Sequence, residues 1–159
     1  MSQAGNRSSS RSRGCPQDDV KALLRRVGLR PTRQRVALGQ LLFGKGNRHV
    51  TADVLHLEAT QARVAVSLAT VYNTLNQFMG AGILRHLRFD GSRSFFDTNT
   101  SMHHHFFVEG ENFLIDISAE NLRLGKIPEP PDGYKITRVE VAVHVSAKGR
   151  RDGNALSQL

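Results

Sequence analysis

A single cysteine stands among 159 residues, and there is no tryptophan. One cysteine excludes an internal disulfide and any structural zinc site built from four thiolates. No apolar run approaches the roughly 20 residues that cross a bilayer, and the first residues lack the apolar core of a signal peptide. These absences predict a cytoplasmic protein without disulfides or a membrane anchor. A further scarcity is local. Between Glu58 and Asp90 there is no acidic residue, while Arg63, Arg85 and Arg88 are present.

Charge is unevenly distributed. Residues 1–89 carry 14 Lys/Arg against 4 Asp/Glu, and residues 90–159 carry 8 against 10, which together give the net +8. A basic first half joined to a near-neutral second half is the footprint of a nucleic-acid partner. The length suits one domain or two small ones with a real core.

Ser67–Phe78 organises the chain. Ser67 is an N-cap residue whose hydroxyl takes an orphan N–H of the first turn. Leu68, Val71, Leu75 and Phe78 recur at helical spacing as an apolar stripe. The opposite face holds Ala69, Thr70, Asn73, Thr74, Asn76 and Gln77, with Tyr72 at the boundary. An uncharged, hydrogen-bonding face without a carboxylate suits a helix lying in the DNA major groove. The competing reading of such a face is a helix packed in a core or at a subunit contact.

Residues 1–14 have almost nothing apolar and are expected to be disordered. Asp18 and Asp19 then suit a helix start, Val20, Leu23, Leu24 and Val27 form its stripe, and Gly28 stops it. Arg30-Pro31-Thr32 opens a second helix with Val36, Leu38, Leu41, Leu42 and Phe43 inward. Thr51 caps a third carrying Val54, Leu55 and Leu57. After the Ser67 helix, Ile83–Phe89 and Ser94–Phe96 read as strands joined across Asp90-Gly91, a strong hairpin signal. Helices followed by a hairpin make a winged helix-turn-helix. From about residue 98 the pattern is strand (His103–Glu109), strand (Asn112–Ile117), a short helix after Ser118, and strand (Tyr134–Val145). In the last of these Val139, Val141, Val143 and Val145 alternate with polar or small residues. So small a sheet has little core of its own and is expected to pair with a second copy. The expected fold is α+β: a disordered basic arm with Cys-Pro over 1–16, a winged-helix DNA-binding domain over 17–97, an α/β dimerisation and ligand-sensing domain over 98–146, and a flexible tail over 147–159.

Four stretches carry a family resemblance: Gly28-Leu29-Arg30-Pro31-Thr32-Arg33-Gln34-Arg35, His49-Val50-Thr51-Ala52, the Ala69–Leu75 helix, and His103-His104-His105. Together, in this order, they resemble the ferric uptake regulator superfamily over roughly residues 18–146. Within it the chain is most similar to the iron response regulators of alphaproteobacteria. The resemblance implies a homodimeric, metal- or haem-responsive transcription factor. Its operators would be A/T-rich double-stranded DNA ahead of haem-biosynthesis and iron-homeostasis genes. Haem would lower DNA binding or protein lifetime. The departures are informative. The superfamily's paired Cys-x-x-Cys zinc site is absent, with Gly110 and Phe113 near the first pair. The frequent His-His-His-Asp-His run reads here His103-His104-His105-Phe106-Phe107, which removes two metal ligands.

The family's inter-domain metal position maps onto His49, Asp97, His105 and Asp116, a nitrogen/oxygen set suited to Mn²⁺, Fe²⁺ or Zn²⁺. On a strand His103 and His105 share one face and His104 the other, so one metal cannot take all three without a bend. Cys15-Pro16 resembles a haem regulatory motif, since a thiolate can ligate ferric haem. Cys15 with His103, His104 and His105 is therefore the candidate haem set. A divalent-metal sensor in which Cys15 is incidental is the near alternative. For DNA, Thr70, Tyr72 and Asn73 are candidates for base edges. Arg30, Arg33, Arg35 and, in the wing, Arg85 or Arg88 are candidates for phosphates. An enzyme reading, a small metallohydrolase using His103, His105 and a carboxylate, lacks a His-Glu-x-x-His helix and leaves the basic half unexplained.

Overall fold

The computed structural model describes residues 16–89, 93–111 and 113–147. Cys15, the Asp90-Gly91 turn and most of the expected tail lie outside the described residues.

Four helices come first: α1 (Pro16–Arg26), α2 (Arg33–Phe43), α3 (Ala52–Gln61) and α4 (Leu68–Gly80). Three open on a hydroxyl cap, with Thr32, Thr51 and Ser67 accepting from the backbone N–H of Arg35, Val54 and Thr70. Each satisfies one of the amides that a helix start leaves without a partner. At the ends of α1 and α4 the chain turns through Gly28 and Gly82, both in the left-handed region. There Leu29 and Ile83 donate back to the carbonyls of Leu24 and Phe78, a capping geometry that glycine enters without strain.

The core joins Val20 and Leu24 of α1, Val36, Leu38 and Leu42 of α2, Leu55 and Ala59 of α3, and Val71, Leu75 and Phe78 of α4. Two expectations about facing are corrected. Leu68 is exposed and Thr74 is buried, because the inward positions of α4 are 71, 74, 75 and 78 and Leu68 lies a turn before the core. On α3 only Leu55 of the three apolar residues faces inward, while Val54 and Leu57 look outward.

Two small sheets follow. In the first, β1 (His49–Val50), β3 (Phe95–Asp97) and β2 (Arg85–Leu87) run antiparallel in that order. This is the wing of a winged helix-turn-helix. In the second, β4 (His103–Val108) is central, with β5 (Phe113–Ser118) antiparallel and β6 (Ala142–Val145) parallel to it. The short helix expected after Ser118 is a single 3-10 turn, Ala119–Asn121. The strand expected from Tyr134 begins only at Ala142. The valines at 139, 141, 143 and 145 are nevertheless half-buried, as their alternation requires. Leu87, Phe95, Phe107 and Leu114 pack together where the two sheets meet. No helix among the described residues is long and apolar enough to cross a membrane.

Candidate functional site

Register, more than sequence spacing, assembles the site. Asp97 at the end of β3 stands opposite His49 of β1 on one side and Arg85 of β2 on the other. In the second sheet His105 of β4 stands opposite Asp116 of β5. His103, two residues before His105, projects from the same face of β4. Where the sheets meet, one donor atom each from His49, Asp97, His103 and His105 converge within 4.8 Å of one another.

The geometry of that convergence is specific. His103 Nε2 lies 3.0 Å and His105 Nε2 3.6 Å from Asp97 Oδ2. Asp116 Oδ1 lies 2.9 Å from His49 Nε2, 3.6 Å from His103 Nε2 and 3.9 Å from His105 Nε2. Metal–nitrogen and metal–oxygen bonds of about 2.0–2.2 Å set neighbouring ligand atoms about 3–3.5 Å apart, close to these values. His49 Nε2, Asp97 Oδ2, His103 Nε2 and His105 Nε2 are all buried, and their close mutual contacts lack the angles of hydrogen bonds. A buried polar atom left unpaired costs about 1–3 kcal/mol. Four such atoms aimed at one point fit a cation held between them.

Surrounding groups orient the set. Asp97 Oδ1 accepts the Asn99 N–H at 2.7 Å, and the Asn99 amide donates to Asp116 Oδ2, so Asn99 bridges both carboxylates. His103 Nδ1 lies 2.9 Å from the Ser101 carbonyl. Burial holds the His49 imidazole below its ordinary range, against the pull of Asp97 and Asp116. Burial pushes the Asp97 carboxyl up, but His105, the Asn99 N–H and the charges of His49 and His103 outweigh it, leaving Asp97 below the usual range. Both shifts favour the neutral imidazole and the ionised carboxylate, the forms that ligate metal.

Of the four residues assigned to metal from sequence, all meet here, and His103 joins them. His103, expected in the haem set, is brought to this face by the His-x-His alternation of β4. Phe107, at the position of a lost ligand, packs instead against Phe89 and Phe95. His104 points the other way. Its Nδ1 accepts from Val141 N–H at 3.2 Å, and it lines an apolar cavity of about 400 Å³ with Leu122, Ile127, Ile136 and Val139. The three histidines therefore offer no common surface to one haem.

The outward face of α4 presents Tyr72 and Asn73, with Thr70 half-buried in its first turn. Arg30 and Arg33 are exposed beside it, at the start of α2. Arg35 is braced, with Nε donating to Gln77 Oε1 at 2.8 Å and Nη1 to the Arg30 carbonyl. Arg85 requires a correction. It was expected to reach phosphate from the wing, yet it is buried, its Nη1 donating to the Ser101 carbonyl and its Nη2 paired with Glu140. A guanidinium so enclosed cannot contact DNA. Arg88, like Arg93, is exposed on the wing.

Fold and site together define an α+β protein with a winged-helix head, a small second sheet and a buried His/Asp cluster between them. The chain belongs to the ferric uptake regulator family, whose model matches residues 26–144. It is 38% identical over 87 residues to the ferric uptake regulation protein of Shigella flexneri, an alignment covering 55% of this chain and 58% of that relative. It is 29% identical over 135 residues to the peroxide-responsive repressor PerR of Staphylococcus epidermidis, covering 84% and 89% of the two chains. The ferric uptake regulator of Pseudomonas aeruginosa, solved with manganese, superposes with a TM-score of 0.62 at 26% identity, covering 81% of this chain and 98% of that one. These relatives are named as regulators, not as enzymes, which favours the regulator over the metallohydrolase.

Proposed function

We propose that this chain is a homodimeric transcriptional regulator whose binding to A/T-rich double-stranded DNA responds to a divalent metal. The observation that carries the reading is the set of orphaned donors spanning the two sheets. The head would be residues 17–97 and the dimerisation and sensing part residues 98–146. His49, Asp97, His103 and His105, with Asp116 at the mouth, would hold Mn²⁺, Fe²⁺ or Zn²⁺. Such an ion would supply positive charge to the carboxylates of the cluster. Because His49 and Asp97 come from the first sheet and His103, His105 and Asp116 from the second, their common engagement sets the angle between head and sheet. That angle in turn sets the spacing of two reading helices in a dimer. Exposed Met102, Ile115, Ile127 and Ile136 on the second half support a second copy as its cover.

In the reading helix, Tyr72, Asn73 and Thr70 would meet base edges, with Arg30, Arg33 and Arg88 on phosphates. The test is fluorescence anisotropy on an A/T-rich palindromic duplex at fixed salt, with chelator or with Mn²⁺ or Zn²⁺. Ion should tighten specific binding at least tenfold in the natural protein and have no effect in His105→Ala. Asn73→Ala should lose discrimination against random DNA, whereas Arg33→Ala should weaken all sequences alike and lower the salt slope by about one. Specific binding indifferent to both ion and chelator would overturn the metal reading.

The haem reading, and with it the likeness to iron response regulators, rests on Cys15-Pro16 and on a histidine run whose members face opposite ways. The same assay separates it. Release of DNA by ferric haem that survives in His105→Ala and disappears in Cys15→Ala would place sensing in the arm.

A further inference from the structure

The metal cluster contains a cation of its own. Arg85 enters it from β2, and its guanidinium reaches Asp97 and His103 of the cluster and Glu140 beside it. Nη1 lies 3.8 Å from Asp97 Oδ2, 3.1 Å from His103 Nδ1 and 3.0 Å from the Ser101 carbonyl, while Nη2 pairs with Glu140. Glu140 Oε1 in turn lies 3.7 Å from His105 Nδ1. Arg85 Nε, also buried, has no hydrogen-bond partner.

We infer that Arg85 is a built-in counter-cation of this site: it weakens the hold on a divalent ion and ties β2 to Glu140 ahead of β6 when no ion is bound. The inference rests on the metal reading proposed above. The cluster holds three carboxylates, Asp97, Asp116 and Glu140, and one guanidinium, which pairs with Glu140 and lies 3.8 Å from Asp97, so counted with neutral imidazoles it carries two negative charges. Removing Arg85 would leave three, and a divalent cation would bind the more strongly for it. The tautomer of His103 acts in the same direction. An imidazole that gives Nε2 to a metal must carry its proton on Nδ1, where it can donate to the Ser101 carbonyl. The guanidinium N–H then meets another N–H. With no ion, His103 Nδ1 is free to accept from Arg85 instead. Ion binding and the Arg85–His103 contact therefore compete, which tunes the site toward higher ion concentrations.

The test is competition of the full chain against a chromophoric chelator for Mn²⁺ and Zn²⁺. Arg85→Met should bind ion at least tenfold more tightly than the natural protein, and with chelator present it should melt at a lower temperature, a deficit that saturating ion restores. Glu140→Gln provides the check if Arg85→Met does not fold. It leaves the guanidinium and removes one carboxylate, so ion affinity should fall at least threefold. Affinity unchanged or weakened in Arg85→Met, or raised in Glu140→Gln, would overturn the proposal. If the natural protein itself bound no ion, the metal reading would fail first and this inference with it, whereas binding by the natural protein without tightening in Arg85→Met would overturn this inference alone.

Discussion

Single residues carry the departures from expectation. Asp97 is an ordinary carboxylate in the sequence, but it is fully buried with three imidazoles around it. Arg63 is another such residue. It ends α3 with φ +56°, the one non-glycine at positive φ among the described residues, while Val64 N–H donates to the Ala59 carbonyl in the same capping geometry that Gly28 and Gly82 adopt. A side chain in that conformation costs about 1 kcal/mol relative to glycine. Arg63→Gly should therefore raise unfolding stability by about 0.5–1 kcal/mol in urea titration, in spite of the lost charge. An unchanged or lower midpoint would show that the Arg63 side chain offsets its backbone strain.

Elements are positioned by a few cross-links between them. Arg48, just before β1, forks onto Glu58 of α3, with Nη1 donating to Oε2 at 2.9 Å and Nη2 to Oε1 at 2.6 Å, and Nη1 also reaches the Leu41 carbonyl of α2. The hydrogen bonds from Arg48 lower the Glu58 carboxyl below its ordinary 4.5, against the opposing effect of burial. A carboxylate lowered on folding stabilises the protein above its unfolded pKa, and that contribution is lost as pH falls through the folded value. The natural protein should accordingly lose stability below about pH 4.5 more steeply than Glu58→Gln, which should already be destabilised by about 1 kcal/mol at neutral pH. Parallel acid limbs in the two denaturation series would refute this role. Helix packing shows the same economy of contact at Gly39, where an added Cβ would meet Val20 Cγ1 at 2.6 Å. Any larger residue at 39 would force the Val20 side chain or α1 itself to shift.

At the scale of the whole molecule, the cluster is the seam between the winged head and the second sheet. Apolar packing of Phe89, Phe95, Phe107 and Leu114 lies beside it. A ligand that binds the folded seam and not the unfolded chain stabilises by mass action, by about 2.7 kcal/mol at a hundredfold excess over its dissociation constant. Saturating Mn²⁺ or Zn²⁺ should raise the melting temperature by several degrees in the natural protein and leave His105→Ala unmoved, as read by differential scanning calorimetry. An equal rise in both proteins would place the ion elsewhere. The basic half is expected to contribute on the same scale: its surplus of Lys/Arg before residue 90 should make affinity for any duplex fall steeply with salt.

What the sequence settled by itself follows from local physics. The hydroxyl caps at Thr51 and Ser67, the glycine stop at 28, the helical spacing of Val71, Leu75 and Phe78, and the shared face of His103 and His105 need only neighbours along the chain to be read. The wing, the polar face of α4 and the family motifs were legible for the same reason. Tertiary structure alone decided the rest. Which half of a mixed helix face turns inward depends on what packs there, so Leu68 and Thr74 exchanged their expected places. Arg85 reads as a surface cation beside other basic residues, and only the pairing of β2 with β3 turns it toward Asp97. Glu140 meets it from 55 residues away, because the chain folds β6 back beside β4. A buried charge is specified by its partners, and those partners come from distant segments that have no spacing rule in common.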